Sequence, residues 1–321
     1  MQMINFYLIY RIYVSNFNNR RTTFTKPSII MTTQKIIKPM MLFTCMLLFG
    51  SYIAIAVSHR THMSIEKAFH DGLIYLKINA NGAGHSGNCI DLEIMNARRD
   101  SCFCSIEPGR RLKSNDSTLQ DILVTQVQEI ALAGRERKSL KVFGFCCQAH
   151  HSGPYKNARY DIGKLSSGPL LTLARFLSRH KFPIDAVQYA IWTVSDNNQI
   201  SSVTTNCMDS IQTLLDTLAC IKHIPRSWYN LTYTKDSKNL FTGDPNMFYC
   251  DLRYYLANNA IVTISIYDAS GTKIVTYYER PANPETYVIP VSLNVKGWSH
   301  GKYSICVLTD DKMIIKKEFQ L

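Results

Sequence analysis

The segment "FGFCCQAHHSGPY" contains the side chains of this chain that are most able to do chemistry. Two adjacent thiols, at Cys146 and Cys147, are followed by two adjacent imidazoles, at His150 and His151. Such a set could ligate a metal ion, act as a nucleophile with its base, form disulfides or carry another covalent bond. Each of these uses requires a different set of partners, which the rest of the sequence must supply.

Metal ligation and nucleophilic catalysis both find few partners. Structural zinc sites place paired ligands two to four residues apart; Cys147 and His150 have this spacing, but no second pair stands out. A cysteine nucleophile needs a positioned base, which His150 or His180 could supply with Asn197 to orient it. Vicinal cysteines are a poor setting for one reactive thiolate, and no pair of acid/base carboxylates stands out. We therefore predict no metal, no cofactor and no catalytic residue.

The first 56 residues have the features of an export signal. They contain six basic residues and no acidic residue, and an apolar run over 39–53 is followed by Ala-Ile-Ala, which ends at Ala56. This layout predicts a secretory signal peptide over residues 31–56, cleaved near Ala56, with residues 1–30 as an upstream, non-native start. The apolar run is shorter than the ~20 residues that usually span a membrane. We expect a secreted or cell-surface protein.

Composition and cysteine count agree with an exported globular protein. The chain is 46% hydrophobic and 19% charged, and its formal charge of +12 includes no basic run, so we predict no nucleic-acid binding. Nine cysteines remain after signal cleavage, and in an oxidising compartment most of them should form disulfides. Nine is an odd number, so at least one must be free or otherwise bonded. They are Cys89, Cys102, Cys104, Cys146, Cys147, Cys207, Cys220, Cys250 and Cys306.

The elements that must position these groups fall into three segments. Residues 68–223 begin with alternating strands such as "CIDLEIMN", and over about 166–223 they change to apolar residues at helical spacing. Residues 224–246 are polar and read as a linker, and residues 247–321 return to the period of two. The predicted fold class is mainly β with an α subdomain. An N-terminal β-sandwich plus helices is followed by a C-terminal immunoglobulin-like β-sandwich.

The C-terminal segment contains an ordered set of short motifs. They are "IYDASGTKI" at 266–274, "GKY" at 301–303 and "KEF" at 317–319. In this order they resemble the C-terminal sorting domain of proteins exported by the type IX secretion system. The resemblance implies that the secretion machinery recognises this segment and that the protein can associate with the outer-membrane surface. The motif residues that it assigns are Tyr267, Asp268, Gly271, Gly301, Tyr303 and Phe319.

A second resemblance links the opening segment to a helix some forty residues later. "FCCQAHHSGPY" followed by "VQYAIW" resembles the thioester domains of bacterial surface adhesins. The resemblance implies an internal thioester between Gln188 and either Cys146 or Cys147. Gln188 and Trp192 are one helical turn apart and share a helix face, where the indole could shield the bond from water.

The sequence as a whole indicates an exported bacterial surface or secreted protein whose N-terminal module acts in binding or adhesion to an unknown surface or host ligand. Two alternatives stay open. One is a covalent adhesin that uses the Gln188 thioester, and the other is a secreted enzyme of unknown substrate. In the non-covalent interpretation, Cys146 and Cys147 are held in disulfides where the strands meet the helices.

Overall fold

The computed structural model describes residues 63–235 and 241–321. The predicted upstream start and signal peptide, residues 1–56, lie outside the described residues. Within the described part, sixteen strands and four α-helices form a mainly β fold with a small α part, which confirms the predicted class. No helix in this part of the chain is both long and apolar enough to cross a membrane.

The N-terminal region contains the elements β1 (Met63–Ser64), α1 (Ile65–His70), β2 (Ile74–Ala80), β3 (Ser86–Asn96), β4 (Cys102–Ile106), β5 (Arg110–Ser114), β6 (Ile122–Val124), β7 (Gln128–Leu132), β8 (Arg137–Cys146), β9 (Arg159–Leu165), α2 (Gly168–Leu177), α3 (Ile184–Ser195) and α4 (Gln212–Lys222). Two short 3₁₀ turns, Ile200–Ser202 and Met208–Ile211, connect α3 to α4.

The C-terminal region contains the elements β10 (Asn230–Tyr233), β11 (Pro245–Tyr255), β12 (Ala260–Asp268), β13 (Lys273–Ala282), β14 (Thr286–Asn294), β15 (Lys302–Thr309) and β16 (Lys312–Gln320).

The N-terminal strands close into a barrel, where the sequence led us to expect two sheets of a sandwich. The barrel order is β2-β3-β8-β6-β5-β9. Closure depends on β9, which pairs with β2 at Ile78–Tyr160 and with β5 at Leu112–Ile162, so that neither edge is left free. The alternating apolar residues of β3, Ile90 among them, are buried inside, as their period of two predicts. The small sheet β1-β4-β7 shares this core.

The C-terminal part of β8 is buried on both faces because the helices pack on the outside of the barrel. Phe145 and Cys147 join Leu173 of α2 and Ile191 of α3 in a second apolar core. The strand can lie this close to β6 only because position 144 is glycine. A Cβ there would come within 2.5 Å of the Ile122 side chain. The predicted helical region, about 166–223, is thus the outer layer on β8.

The C-terminal strands form a sandwich of two sheets, β10-β11-β14 and β13-β12-β15-β16. The strand order, first-second-fifth against fourth-third-sixth-seventh, is immunoglobulin-like. The hydroxyl of Tyr303, at the start of β15, donates to the Ser299 carbonyl oxygen at 2.9 Å, the contact known as a tyrosine corner in such sandwiches. This agrees with the immunoglobulin-like architecture expected for residues 247–321.

The segment 224–246, expected to be a linker, contributes the first strand of this sandwich. In β10, Leu231 is buried and pairs with Phe248 of β11. The polar composition of the segment hides this strand, because only one of its four side chains is fully buried. The hydroxyl of Tyr229, just before β10, also donates to Gln199 Oε1 at 3.2 Å. The sandwich therefore begins near Asn230 and contacts the helical layer.

Candidate functional site

The end of β8 directs its two cysteines into different cores. Successive side chains of a strand point to opposite faces. Cys146 therefore shares the barrel interior with Val142, whereas Cys147 lies with Phe145 on the helical side. Both thiols are fully buried. The alternation separates two residues that the sequence alone treats as interchangeable.

Gln188 of α3 reaches the end of β8 and binds its backbone at two points. The Nε2 atom of Gln188 donates to the Cys146 carbonyl oxygen at 2.8 Å, and the Cys146 N–H donates to Gln188 Oε1 at 3.2 Å. The Gln188 side chain approaches from α3, whose residues Val187 and Ile191 pack in the same core as Cys147. Of the two cysteines, Cys147 thus has its thiol on the side from which the carboxamide comes. The sequence-predicted residues are brought together, and Gln188 is only 2% exposed.

A buried polar network fixes the indole that follows Gln188 by one helical turn. The Trp192 Nε1–H donates to Gln120 Oε1 at 3.2 Å, and Gln120 Nε2 donates to the His151 carbonyl oxygen at 2.9 Å. The hydroxyl of Tyr160 donates to the Gln120 carbonyl oxygen at 3.0 Å. Burying these groups without partners would be costly, so each one constrains the next. Sequence reasoning missed Gln120, because only the folded barrel brings β6 and α3 together.

Aromatic rings from separate parts of the chain surround Trp192. The centroids of Tyr189 and Phe241 lie 5.5 Å and 6.1 Å from that of Trp192. The ring of His85, just before β3, lies nearly parallel to the indole, with centroids 6.4 Å apart. Tyr233, at the end of β10, contacts Phe241 at 4.8 Å. The segments on either side of residues 236–240 thus help to cover the junction between barrel and helices.

Burial keeps both thiols of the site protonated at neutral pH. It raises the pKa of Cys147 to about 12; the nearby Arg111 cation opposes this rise, and the Asp121 and Asp196 carboxylates add to it. Burial also raises the pKa of Cys146 well above its ordinary value, with smaller effects from Cys89 and Cys147. A thiolate is the nucleophilic form of cysteine. The unreacted thiols therefore lack the lowered pKa of a catalytic cysteine.

The expected disulfides are not formed in the described part of the chain, where all nine cysteines are free thiols. Seven of them are buried, and Cys207 and Cys220 are exposed. The expectation that Cys146 and Cys147 would be held in disulfides is therefore wrong. Their opposite orientations place one thiol among barrel side chains and the other among helical side chains.

The imidazoles of the opening segment lie apart from one another. His150 contacts Phe241, while His151 Nδ1 lies 3.4 Å from the Leu119 carbonyl oxygen. His180 stacks on Phe176, and its Nδ1 lies 2.9 Å from that residue's carbonyl oxygen. Within residues 63–235 and 241–321, no three His, Cys, Asp or Glu side chains are grouped as metal ligands.

The sequence offered His150 or His180 as a base that Asn197 could orient. Asn197 instead bonds a different side chain. Asn197 lies beyond α3, where its Oδ1 accepts from Lys222 Nζ at 2.8 Å. The structure therefore brings neither His180 nor Asn197 into the polar network around Gln188.

The first group of motif residues in the C-terminal sandwich forms a turn. Asp268 Oδ1 accepts from the backbone N–H groups of Ser270 and Thr272, each at 2.9 Å, and Gly271 adopts a φ of +84°. Tyr267 is the last residue but one of β12, where it pairs with Ser304 of β15. The turn between β12 and β13 and the strand that leads into it therefore account for these three motif residues.

The second group joins the last strand to the sandwich. Gly301 exchanges two backbone hydrogen bonds with Leu321, at 3.2 Å and 3.0 Å. Phe319 is buried against Phe248, with ring centroids 4.3 Å apart, and stacks on Tyr303 at 5.7 Å. The motif residues Gly301, Tyr303 and Phe319 therefore have structural roles.

A scan against protein-family models finds no match to this chain, and searches of curated proteins and of solved structures find none either. The geometry of the Gln188 site is therefore the basis for proposing a function.

Proposed function

We propose that this chain is an exported binding protein whose N-terminal module attaches covalently to its partner through an internal thioester between Cys147 Sγ and Gln188 Cδ. The observation that carries this proposal is the two-point hydrogen bonding of the Gln188 carboxamide to the backbone of Cys146, the residue that precedes the buried Cys147. Cys147 is the chosen partner because its side chain shares the helical-side core with the flanks of Gln188.

The bond changes balance without a co-reactant. The Cys147 thiol adds to Gln188 Cδ, the new C–S bond replaces the C–N bond, and ammonia leaves with the thiol proton. The Cys146 N–H, which already donates to Oε1, is placed to stabilise negative charge on that oxygen during the addition. A partner's amine then attacks the same carbon. Its nitrogen forms an amide with the Gln188 side chain, and the Cys147 thiol is released.

Burial suits a stored electrophile. Cys147 is fully buried, Gln188 is 2% exposed and Trp192 is 1% exposed. Exclusion of water slows hydrolysis of a reactive acyl group before its partner arrives. These exposures support an intact thioester in the free protein.

The intact mass of the protein beginning at Val57 tests the proposal. We expect freshly purified protein to be lighter than its sequence by about 17 Da, the mass of ammonia lost in the substitution, and methylamine to add to it at Gln188. Cys147→Ala should have its full sequence mass, whereas Cys146→Ala and the exposed control Cys220→Ala should keep the deficit.

A full sequence mass in fresh wild-type protein would overturn the thioester. Gln188 would then serve only to hydrogen-bond the backbone N–H and carbonyl oxygen at the end of β8. The N-terminal module would bind its partner without a covalent bond. Loss of the deficit in Cys146→Ala alone, in folded protein, would move the bond to the other cysteine. Peptide mapping after methylamine treatment identifies the modified residue in each case.

For the sandwich, we propose the role of sorting address for the type IX machinery, which would deliver the protein to the cell surface. The order of the motifs at 266–274, 301–303 and 317–319 supports this role. Deletion should begin at Pro225, because β10 belongs to the sandwich. We expect the truncated protein to stay in the periplasm, and residues 225–321 to carry a fused reporter protein to the surface. Surface delivery without them, or failure of the fused reporter to arrive, would contradict the role.

A further inference from the structure

His85 occupies a position beside the carboxamide that the proposed thioester would consume. The Cys146 N–H donates to the His85 carbonyl oxygen at 3.0 Å as well as to Gln188 Oε1 at 3.2 Å. One donor is thus shared between the His85 backbone and the reacting carbonyl group. No sequence motif singles out this histidine, because β3 and β8 bring it to the site only when they pair.

The partly buried His85 ring packs against a fully buried residue. It lies nearly parallel to Trp192, with an interplanar angle of 15° and centroids 6.4 Å apart. Trp192 itself follows Gln188 by one helical turn and is 1% exposed. His85 thus contacts the Gln188 site at two points, through its backbone carbonyl oxygen at the Cys146 N–H and through its ring at Trp192.

Coupling of an amine requires proton transfer at two atoms, the attacking nitrogen and the leaving sulfur. A primary amine such as lysine is mostly protonated at neutral pH, and after it attacks, its nitrogen must lose a further proton to become an amide. The leaving group is the Cys147 sulfur, and burial raises the pKa of that thiol to about 12, so its departure as a thiolate is unfavourable. A group that accepts the proton lost by the attacking nitrogen and gives it to the leaving sulfur would assist both bond changes.

We propose that His85 is this proton carrier for aminolysis of the Cys147–Gln188 thioester, an inference that depends on the proposed thioester. The His85 imidazole takes the proton from the attacking nitrogen as the N–C bond to Gln188 Cδ forms. The resulting imidazolium gives that proton to the Cys147 sulfur as the C–S bond breaks. The partner is thus selected as a primary amine that reaches the carbonyl from the His85 side.

The surroundings of His85 keep its imidazole ready to accept a proton. Burial lowers the pKa of His85 below its ordinary value of 6.5, and the Lys235 cation beyond β10 lowers it further. The Trp192 ring, which contacts the imidazole, and the Cys146 N–H, which bonds the His85 carbonyl oxygen, carry no net charge. The neutral form is therefore dominant at pH 7.

The rate of methylamine coupling as a function of pH tests the inference. We expect wild-type protein, corrected for the fraction of free methylamine, to couple more slowly as the pH falls through a single ionisation below 6.5. His85→Gln should keep the mass deficit, couple about 100-fold more slowly and lose this ionisation. The matched control His150→Gln should couple at the wild-type rate.

Three results are distinguishable. If wild-type protein lacks the mass deficit, the thioester itself is wrong. If the deficit is present but His85→Gln matches wild type in rate and pH profile, the thioester stands and the role of His85 is overturned. If His85→Gln does not fold, the wild-type profile decides alone, since a corrected rate that shows no ionisation below pH 6.5 overturns the role.

Discussion

The sandwich and the junction between barrel and helices use their sequence motifs in different ways. In the sandwich, Tyr303 forms a corner, Asp268 closes a turn and Phe319 fills the core. In the junction, Gln188 and Trp192 bury polar groups in an otherwise apolar core. The stability of an immunoglobulin-like fold accounts for the first set of residues. The second set is the one on which the proposed thioester depends.

The two sets of motif residues therefore differ in how specifically they indicate a function. A motif whose every member has a structural role in its fold is expected wherever that fold occurs. A buried carboxamide that is hydrogen-bonded to the backbone of one of two adjacent buried cysteines is more specific, because burying polar groups is costly unless they are fully satisfied. The N-terminal module therefore carries the stronger functional argument, and the sorting role depends on its cell-based test.

The largest effect should come from the apolar core of the sandwich. Phe248 is fully buried and packs on Phe319, so Phe248→Ala should lower the free energy of unfolding by about 3–5 kcal/mol. Urea unfolding monitored by tryptophan fluorescence measures this, with the exposed Tyr255→Ala as control. Folded Phe248→Ala should still have the mass deficit. Its loss would show that the sandwich and the junction are not separable.

A smaller loss should follow from cutting the polar network of the junction. Gln120→Met keeps the side-chain volume but leaves Trp192 Nε1 without its acceptor and the His151 carbonyl without its donor. We expect about 1–3 kcal/mol of destabilisation, together with faster spontaneous hydrolysis of the thioester. The exposed Gln126→Met is the matched control. Unchanged stability and an unchanged hydrolysis rate would mean that the network does not hold Trp192 in place.

The smallest effect should come from the tyrosine corner. Tyr303→Phe removes one hydrogen bond to Ser299 and leaves the buried ring, so we expect a loss of about 1 kcal/mol. Tyr255→Phe, in a 68% exposed side chain, should change nothing measurable by the same urea titration. If the corner variant also impairs surface delivery while it stays folded, Tyr303 acts in sorting as well as in the fold.

Much of this architecture follows from local periodicity. The alternation in β3 and β12, the helical spacing in α2 and α3, and the turn at Gly271 all agree with the predicted elements. The pairing of strands with one another does not follow from local periodicity. Closure of the barrel depends on the pairing of β9 with β2, which is distant in sequence. The assignment of β10 to the sandwich depends on its pairing with β11, which the mostly unburied side chains of β10 conceal.

The residues of the site were likewise predicted only in part from the sequence. The resemblance to thioester domains singled out Gln188 and Trp192 and left the choice between Cys146 and Cys147 open. The choice required both the outward face of β8 and the position of α3, which together put Cys147 on the helical side. Gln120 and His85 could not be predicted, because neither lies in a motif and both join the site only through the folded barrel.

The position of Gln188 along the chain has a mechanical consequence. A partner joined to this side chain and a pull applied through the sandwich would load the polypeptide from α3 through α4 and into β10. The barrel strands precede Gln188 in sequence and lie outside that covalent line of tension. The same pull would act on two contacts between the segments around β10 and the helical layer, Tyr229 with Gln199 and Phe241 with Tyr189. Under the proposed linkage, tension therefore reaches these contacts without passing along the barrel strands.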